Sequence, residues 1–373
     1  MATMKRTFHP VGHGAFYTER FYDGDDNIAN IVFDCGCYET AKSRMSPNAF
    51  KEQINNAITE EFNERVTIDA LFISHFHTDH INGIAKLIEF CDVKRIFIPK
   101  LTPQIVLEAY LTNYVYYEDI GVVDNFIRSC QRGEIIVQVG EFYLDDEVRF
   151  KPLDLNAIRS NIDSPITIMA LERKWQYIPF NLSDKDGKIV ETIRANANFY
   201  SIWEEDGTIN LDELSNVIRS IGPEECRKIY QSVYGDKHNS YSMTLYSGAT
   251  YCCIERVCPR YLCQFDCRNP YFCIKNCLYM GDYEAKTHFD DLKRFYDDYW
   301  KCIGILQVPH HGSEKNFNAG LYTPEKICII SVGETDKYDH PDKLTLDGII
   351  ENRDIPIIIT ENQNTRQQFT YKI

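Results

Sequence analysis

The spacing of apolar residues along the chain predicts helices and strands in alternation. Residues 48–64 carry an apolar side chain at every fourth position, which places these side chains on one helix face. They are Phe50, Ile54, Ile58 and Phe62. Residues 67–74 form a short apolar run instead, which is typical of a buried strand.

Further strands and helices follow the same two patterns through most of the chain. We predict strands at residues 8–21, 27–35, 95–99, 134–139, 166–173, 242–246, 278–280, 304–308, 327–332, 355–360 and 368–373. We predict helices at residues 81–90, 103–130, 211–234 and 289–300, and an aromatic loop through Trp175 and Tyr177. Strands that alternate with helices indicate an α/β layered domain.

The domain organisation follows from the places where this pattern weakens. We expect one domain over residues 1–373, and no internal repeat or low-complexity tract appears in it. The periodic signal fades between residues 140 and 235, which we interpret as an insertion or cap over the main domain. A second insertion, at residues 249–277, is rich in cysteine.

The composition and net charge argue against a membrane-spanning or secreted protein and against a dedicated nucleic-acid-binding module. Hydrophobic residues make up 44% of the chain, enough for a substantial core, and no apolar run is long enough to cross a bilayer. The N-terminal residues lack the apolar segment of a secretory signal, so we expect a cytoplasmic protein with no membrane partner. A formal net charge of −15 argues against a dedicated nucleic-acid-binding module. It does not exclude a nuclease, because bound cations can dominate the local charge of a site.

A dense cluster of polar residues stands directly after the apolar run 67–74. His75 and His77 are one residue apart, so in an extended chain both rings point to the same side and can hold one ion. Asp79 and His80 follow on the turn into the next helix and can reach a second ion. Neutral imidazole and carboxylate are ligands suited to zinc, and also to manganese or iron. The sequence therefore predicts a metal site.

This His-x-His-x-Asp-His segment is similar to the signature of the metallo-β-lactamase superfamily, and the rest of the chain resembles the ComEC-like branch of that superfamily. Further similar segments are residues 8–15, 31–36, 279–282, 306–313 and 331–341. The branch usually has glutamine where His13 stands and glycine where Asp339 stands. The resemblance implies an αββα sandwich of two mixed sheets faced by helices.

The resemblance also implies metal ligands beyond the signature. Asp282 matches the carboxylate that bridges two metal ions in the superfamily. His238 stands where the superfamily has another histidine ligand, although Asn239 could be the residue that is kept in its place. Both interpretations of this segment stay open.

The last ligand is ambiguous in the sequence. It could be His340, or it could be His311, in which case His310 and His311 point one ring at a metal and one at the substrate. A third interpretation is that the two adjacent histidines only cap a turn. We assign His311 to the metal and keep His310 and His340 as catalytic candidates.

The implied mechanism uses two divalent ions, zinc first and manganese or iron as alternatives, to activate water for attack on phosphorus. Asp79 would orient the water or act as a base, and His340 or His310 would stabilise negative charge or protonate the leaving oxygen. Ser313 could hydrogen-bond a phosphate or simply cap a helix. His13 is expected to contact the substrate.

Seven of the 14 cysteines lie between residues 252 and 277. A structural zinc could be held by Cys258, Cys263, Cys267 and Cys273, although their spacing lacks the paired Cys-x-x-Cys of familiar zinc sites. A redox role and plain thiols are the alternatives. Arginines and aromatic residues alternate in the same insertion, which could contact nucleic acid or a protein partner.

These features leave three hypotheses for the function. The first is a metal-dependent hydrolase of phosphodiester bonds, a nuclease with nucleic acid or a nucleotide-like molecule as partner. The second is a hydrolase of a small molecule such as a nucleotide, lactone or thioester, which the net charge favours. The third is a regulatory or defence-system component that kept the fold, against which the complete ligand signature argues.

Overall fold

Seventeen strands form within the described part of the chain. The computed structural model describes residues 2–38, 47–133, 135–143, 147–182, 187–235, 242–250, 275–323, 325–334 and 339–373, with the backbone alone for residues 47–50. The strands are β1 (Ala2–Phe8), β2 (Phe16–Asp23), β3 (Asp26–Cys35), β4 (Thr67–Ile68), β5 (Ala70–Phe72), β6 (Asp92–Val93), β7 (Ile96–Pro99), β8 (Ile136–Val139), β9 (Lys151–Asp154), β10 (Ile166–Ala170), β11 (Trp175–Phe180), β12 (Thr244–Ala249), β13 (Cys277–Tyr279), β14 (Ile305–Gln307), β15 (Ile327–Ser331), β16 (Ile355–Ile359) and β17 (Gln367–Lys372).

These strands build two large mixed sheets. One has the order β17-β1-β2-β3-β5-β7-β8, and the other has the order β16-β15-β14-β13-β12-β11-β10-β9, while β4 and β6 form a separate pair. In the first sheet the hairpin β1 to β3 is antiparallel and β3, β5, β7 and β8 are parallel. In the second, β13 to β16 are parallel.

The two sheets face each other across an aromatic core. The rings of Phe33 and Tyr279 lie 4.9 Å apart and those of Phe72 and Tyr177 lie 5.6 Å apart, each pair joining one sheet to the other. Aromatic side chains bury large apolar areas and therefore dominate the energetics of such an interface. The facing sheets bring the ends of β5 and β13 together, which is where the signature residues lie.

Helices cover the outer faces of both sheets. They are α1 (Pro47–Glu61), α2 (Thr78–Ile81), α3 (Ile84–Phe90), α4 (Pro103–Tyr117), α5 (Gly121–Arg132), α6 (Lys188–Ala195), α7 (Leu211–Tyr234), α8 (Ala285–Phe295), α9 (Asp297–Trp300) and α10 (Lys343–Glu351). The apolar faces of α1 and of α3 to α7 pack with the first sheet, and those of α8 to α10 pack with the second. The fold is the αββα sandwich that the sequence resemblance implies.

Several elements differ from the sequence prediction, among them β4 and β5, which replace one strand at 67–74, and α8 and α9, which replace one helix at 289–300. Three further differences have a clear cause in the backbone or in burial. Residues 8–21 are not one strand, because the chain leaves the sheet between β1 and β2 and turns at Gly12, where φ is +73°. The predicted helix 103–130 is two helices, divided where Glu118 adopts a left-handed φ of +53°. The expected aromatic loop at Trp175 and Tyr177 is the strand β11, whose six residues are all buried.

The region 140–235 divides between two layers. Its first part supplies β9, β10 and β11 to the second sheet. Its second part forms α6 and α7, whose apolar faces pack in the same cluster as α4. Within the described ranges, no helix combines the length and the apolar character that a membrane span requires.

Candidate metal centre

The ligand loop, residues 73–80, joins β5 to α2 and buries the polar side chains of the signature. The exposed fractions of His75, His77, Asp79 and His80 are 6%, 9%, 2% and 1%. The rings of His75 and His77 lie 4.4 Å apart. Phe76 between them packs instead toward Phe126 in the helical layer. Both imidazoles therefore face the same side of the extended chain, as predicted.

A buried asparagine of α4 fixes the ligand loop. Asn113 accepts hydrogen bonds from the Thr78 amide (3.0 Å) and the Thr78 hydroxyl (2.8 Å), and its own amide donates to the Phe76 carbonyl (2.9 Å). These bonds satisfy backbone groups at the entry to α2, where the first helical amides lack partners within the helix. Helix α4 therefore fixes the position of the ligand loop.

Three groups of side chains bring their ligand atoms within 4.8 Å of one another. The groups are His75, His77 and Asp282; His80, Asp282 and His311; and His13, Asp79 and His311. Each combines imidazole nitrogens with a carboxylate, which is the donor chemistry of zinc and similar ions. Residues far apart in the sequence thus meet in one cluster, because Asp282 and His311 each belong to two of the groups.

Asp282 belongs to two of these groups. One carboxylate oxygen, Oδ2, lies 3.5 Å from His75 Nε2, and the other, Oδ1, lies 3.3 Å from His80 Nε2. Burial raises the pKa of the Asp282 carboxyl, but His310, His75 and His80 outweigh this effect and hold the pKa well below its usual value. The side chain is therefore an ionised carboxylate placed between two sets of histidines.

The turn after β13 aims Asp282 at the pocket. Gln307 Oε1 accepts a hydrogen bond from the Gly281 amide (2.7 Å), and Ser242 Oγ accepts one from the Asp282 amide (3.0 Å). Gly281 has a φ of +53°, and a Cβ at this position would lie 2.6 Å from the Ser74 side chain. Only glycine fits this approach of β13 to the ligand loop.

Hydrogen bonds at Nδ1 determine which ring nitrogen faces the pocket. His80 Nδ1 lies 2.8 Å from Asp34 Oδ2, and His311 Nδ1 lies 2.8 Å from the Ser331 carbonyl oxygen. Both partners are acceptors, so Nδ1 donates the proton. Such second-layer contacts orient metal-binding histidines in proteins and leave the Nε2 lone pair for the ion.

His75 is oriented in the same way, by hydroxyl groups. Its Nδ1 lies 2.9 Å from Ser74 Oγ, whose own proton is donated to Asp34 Oδ2 (2.7 Å). Within the described residues, neither His75 Nε2 nor His80 Nε2 has a hydrogen-bond partner, although both atoms are buried. Buried polar atoms normally have partners, so these inward-facing nitrogens fit a bound cation.

The two oxygens of Asp79 have different surroundings. Oδ1 accepts a hydrogen bond from the Tyr117 hydroxyl (2.7 Å), while Oδ2 lies 3.3 Å from His311 Nε2 and 3.7 Å from His80 Nε2. Burial raises the pKa of Asp79, but His80 and His311 more than compensate and leave it well below the usual value. Tyr117 therefore occupies one oxygen and leaves Oδ2 directed at the histidines.

His310 stands at the edge of this set and outside the three groups. Its Nε2 lies 3.9 Å from Asp282 Oδ2. Its Nδ1 lies 2.9 Å from Asn316 Oδ1, and the Asn316 amide donates to the carbonyls of Asp282 and Tyr283. Because the amide nitrogen is engaged, the Asn316 oxygen must accept the Nδ1 proton. His310 Nε2 is thus directed into the pocket.

The structure places the remaining predicted residues around this centre. His340 lies with its ring 6.1 Å from His310 and its Nδ1 3.0 Å from Asp342, outside the three groups. The Ser313 hydroxyl accepts a hydrogen bond from the Lys315 amide (3.3 Å), a local turn contact. The predicted positions His238, Cys258, Cys263, Cys267 and Cys273 lie outside the described residues.

Sequence reasoning did not assign a role to Asp34, Tyr117 or Asn316. Asp34 lies in the segment 31–36 that carries the family resemblance, so its place in that motif was an available signal. Tyr117 and Asn316 have no such signal, because they reach the site only through the packing of α4 and the turn after His311.

Three comparisons with known proteins gave matches. A family model for the metallo-beta-lactamase superfamily matches residues 25–154. The proteins named Ribonuclease J from Mycoplasma genitalium and Mycoplasma pneumoniae are each 28% identical over 104 residues, which are 26% of this chain and 17% of those relatives. The metallo-beta-lactamase fold protein YhfI from Bacillus subtilis is 15% identical, with a TM-score of 0.21, and the match covers 66% of this chain and 100% of that one.

Proposed function

Since the chain contains a metallo-β-lactamase superfamily domain over residues 25–154, we propose that this superfamily hydrolase cleaves phosphodiester bonds of nucleic acid. The observation that carries the proposal is the position of Asp282 between two histidine groups, each with the donors for one divalent ion. Paired ions suit displacement at phosphorus. The similarity to proteins named Ribonuclease J supports a nucleic acid as the substrate. We also propose that the chain belongs to the ComEC-like branch, because segments 306–313 and 331–341 are similar to sequences of that branch.

The residues that would hold the ions fall into two sets. The first set is His75, His77 and Asp282, and the second is Asp79, His80, Asp282 and His311. Divalent cations bound there, zinc first and manganese or iron as alternatives, would supply Lewis acidity toward water and toward the phosphate oxygens. They would also give an acidic protein the local positive charge that a polyanionic substrate requires.

The chain's own groups have separate tasks in this proposal. Asp79 orients the attacking water, because its Oδ1 is engaged by Tyr117 and its Oδ2 faces the centre of the pocket. His310 in its doubly protonated form would donate the Nε2 proton to the leaving oxygen, because Asn316 accepts from Nδ1 and Nε2 points toward Asp282. Burial lowers the pKa of His310, so this form depends on the opposing effect of the Asp282 carboxylate. His340 and Ser313 remain candidates for contacts to the phosphate at the outer edge.

The substrate class can be tested on the whole chain. Protein loaded with Zn²⁺ or Mn²⁺ would be incubated with single- and double-stranded DNA and RNA, and in parallel with a mononucleotide, a lactone and a thioester. We expect cleavage of at least one nucleic acid. A double variant, His77→Ala with Asp79→Ala, is expected to lose that cleavage.

Two outcomes would contradict the proposal. Cleavage that survives in the double variant would come from a contaminating nuclease. Turnover of only the small molecules would favour the alternative function, a small-molecule hydrolase, which the net charge of −15 also supports because it repels polyanions.

The role of His310 predicts a dependence on the leaving group. Replacing His310 with Ala should slow cleavage of a natural phosphodiester by about 100-fold or more, since positioned acids contribute roughly 10²–10⁴-fold. The same change should slow bis(p-nitrophenyl) phosphate much less, because nitrophenolate leaves without a proton. Equal losses with both substrates would show that His310 does not protonate the leaving oxygen. His288→Ala, which alters a histidine of α8, serves as the matched control.

A further inference from the structure

The loop between β1 and β2 packs directly on the ligand loop. The Ala15 amide donates to the Asp79 carbonyl (3.3 Å), and the Tyr38 amide donates to the His13 carbonyl (2.6 Å). A Cβ at Gly14 would lie 2.8 Å from the Asp79 carbonyl oxygen. This loop is therefore fixed in place against Asp79, and His13 with it.

His13 is buried against a residue that we assign to the metal. It is 8% exposed, and its ring lies 3.8 Å from the ring of His311, centroid to centroid, with the planes tilted by 34°. The ligand atoms of His13, Asp79 and His311 lie within 4.8 Å of one another. The other two groups meet the same limit of 4.8 Å, so His13 qualifies as a candidate ligand on the same distance criterion as the signature histidines.

The shared histidine decides how many ions these groups can hold. His311 belongs both to the group with His13 and to the group with His80 and Asp282. Its Nδ1 is engaged by the Ser331 carbonyl, so Nε2 carries the one available lone pair. A single nitrogen lone pair binds one ion. If both groups bind metal, they therefore share one ion.

We infer that His13 is a fifth protein ligand of the second metal site, together with Asp79, His80, Asp282 and His311. This inference rests on the proposed function only in so far as that function requires a metal at this site. Three imidazoles and two carboxylates exceed the three or four protein ligands that zinc usually takes. One water molecule would complete six-coordination, a geometry that favours Mn²⁺ or Fe²⁺ over Zn²⁺ at this position.

The inference competes with the expectation that His13 contacts the substrate, and metal binding measured without substrate separates the two. The variant His13→Phe keeps an aromatic ring against His311 but has no donor atom. We expect the affinity for the second Mn²⁺ or Co²⁺ ion to fall about 100-fold or more, since even residues that only support a ligand cost 10–100-fold. The first ion should bind as before.

Spectroscopy provides a second readout. The Co²⁺ absorption spectrum of the doubly loaded wild type should change intensity in His13→Phe, because fewer ligands alter the coordination geometry. His13→Gln, whose amide oxygen can still reach the ion, should show an intermediate affinity. The control His288→Phe should leave metal content and spectrum unchanged.

Unchanged affinity for the second ion in both His13 variants would overturn the inference, and a raised KM with unchanged affinity would identify His13 as a substrate contact. Chemical denaturation of the metal-free proteins checks that each variant is folded. If His13→Phe does not fold, the affinity of His13→Gln decides alone. Failure of the proposed function would appear separately, as a lack of nucleic-acid cleavage by fully loaded wild-type protein.

Discussion

Replacing Asp282 with asparagine is expected to lower kcat/KM by about three to four orders of magnitude. The carboxylate lies between His75 and His80, and it is a member of two of the three candidate metal groups. Asparagine has the same shape but no charge and only one oxygen, so one ion loses a ligand and both ions lose the negative charge while the packing is kept. Metal ions contribute several kcal/mol to the stabilisation of phosphoryl transition states, and each tenfold change in rate corresponds to about 1.4 kcal/mol.

The measurement pairs kinetics with metal content. We expect dialysed Asp282→Asn protein to retain fewer than the two ions per chain expected for the wild type. The control is Asp290→Asn, which alters an exposed carboxylate of α8. If Asp282→Asn kept both ions and its activity, Asp282 could not be a shared ligand, and the two ions would have to be held by the remaining histidines and Asp79.

The sequence predicts the candidate metal ligands better than the residues that orient them. The density of His75, His77, Asp79 and His80 after an apolar run is a local signal, and the structure buries all four residues in one cluster. The choice between His311 and His340 is not local. It depends on the Ser331 carbonyl, which β15 brings against His311 Nδ1, and no spacing in the sequence encodes that contact.

The fold shows the same division between local and non-local information. Helix α1 has a clear apolar face, and its predicted range 48–64 agrees with Pro47–Glu61. Strand β11 gave no alternating signal because both of its faces are buried, so Gln176 and Pro179 lie among apolar neighbours. Alternation marks a strand only when one face meets water. From the sequence alone the aromatic segment therefore resembles a loop.

A buried ion pair between the sheets is a further feature without a sequence signal. Arg6 of β1 is fully buried, and its Nε donates to Glu19 Oε1 of β2 at 2.8 Å. Glu19 also accepts hydrogen bonds from Tyr177, Ser247 and Tyr279 of the second sheet, each at 2.8 Å. A polar network thus joins the two sheets across an otherwise apolar core, with the Glu19 carboxylate as its common acceptor.

Removing one charge of this network should destabilise the protein strongly. Arg6→Met is expected to lower the apparent free energy of unfolding by about 3–5 kcal/mol, because Glu19 would remain as a buried charge without its cation. The double variant Arg6→Met with Glu19→Gln should lose less, since the glutamine oxygen still accepts from the tyrosine hydroxyls and no charge is left buried. Urea denaturation of both variants and the wild type measures the difference. An exposed ion pair contributes less than about 1 kcal/mol. If the free energy of unfolding of Arg6→Met fell by no more than this, Glu19 would not need Arg6 as its cation. The link between the sheets would then have to come from the aromatic contacts alone.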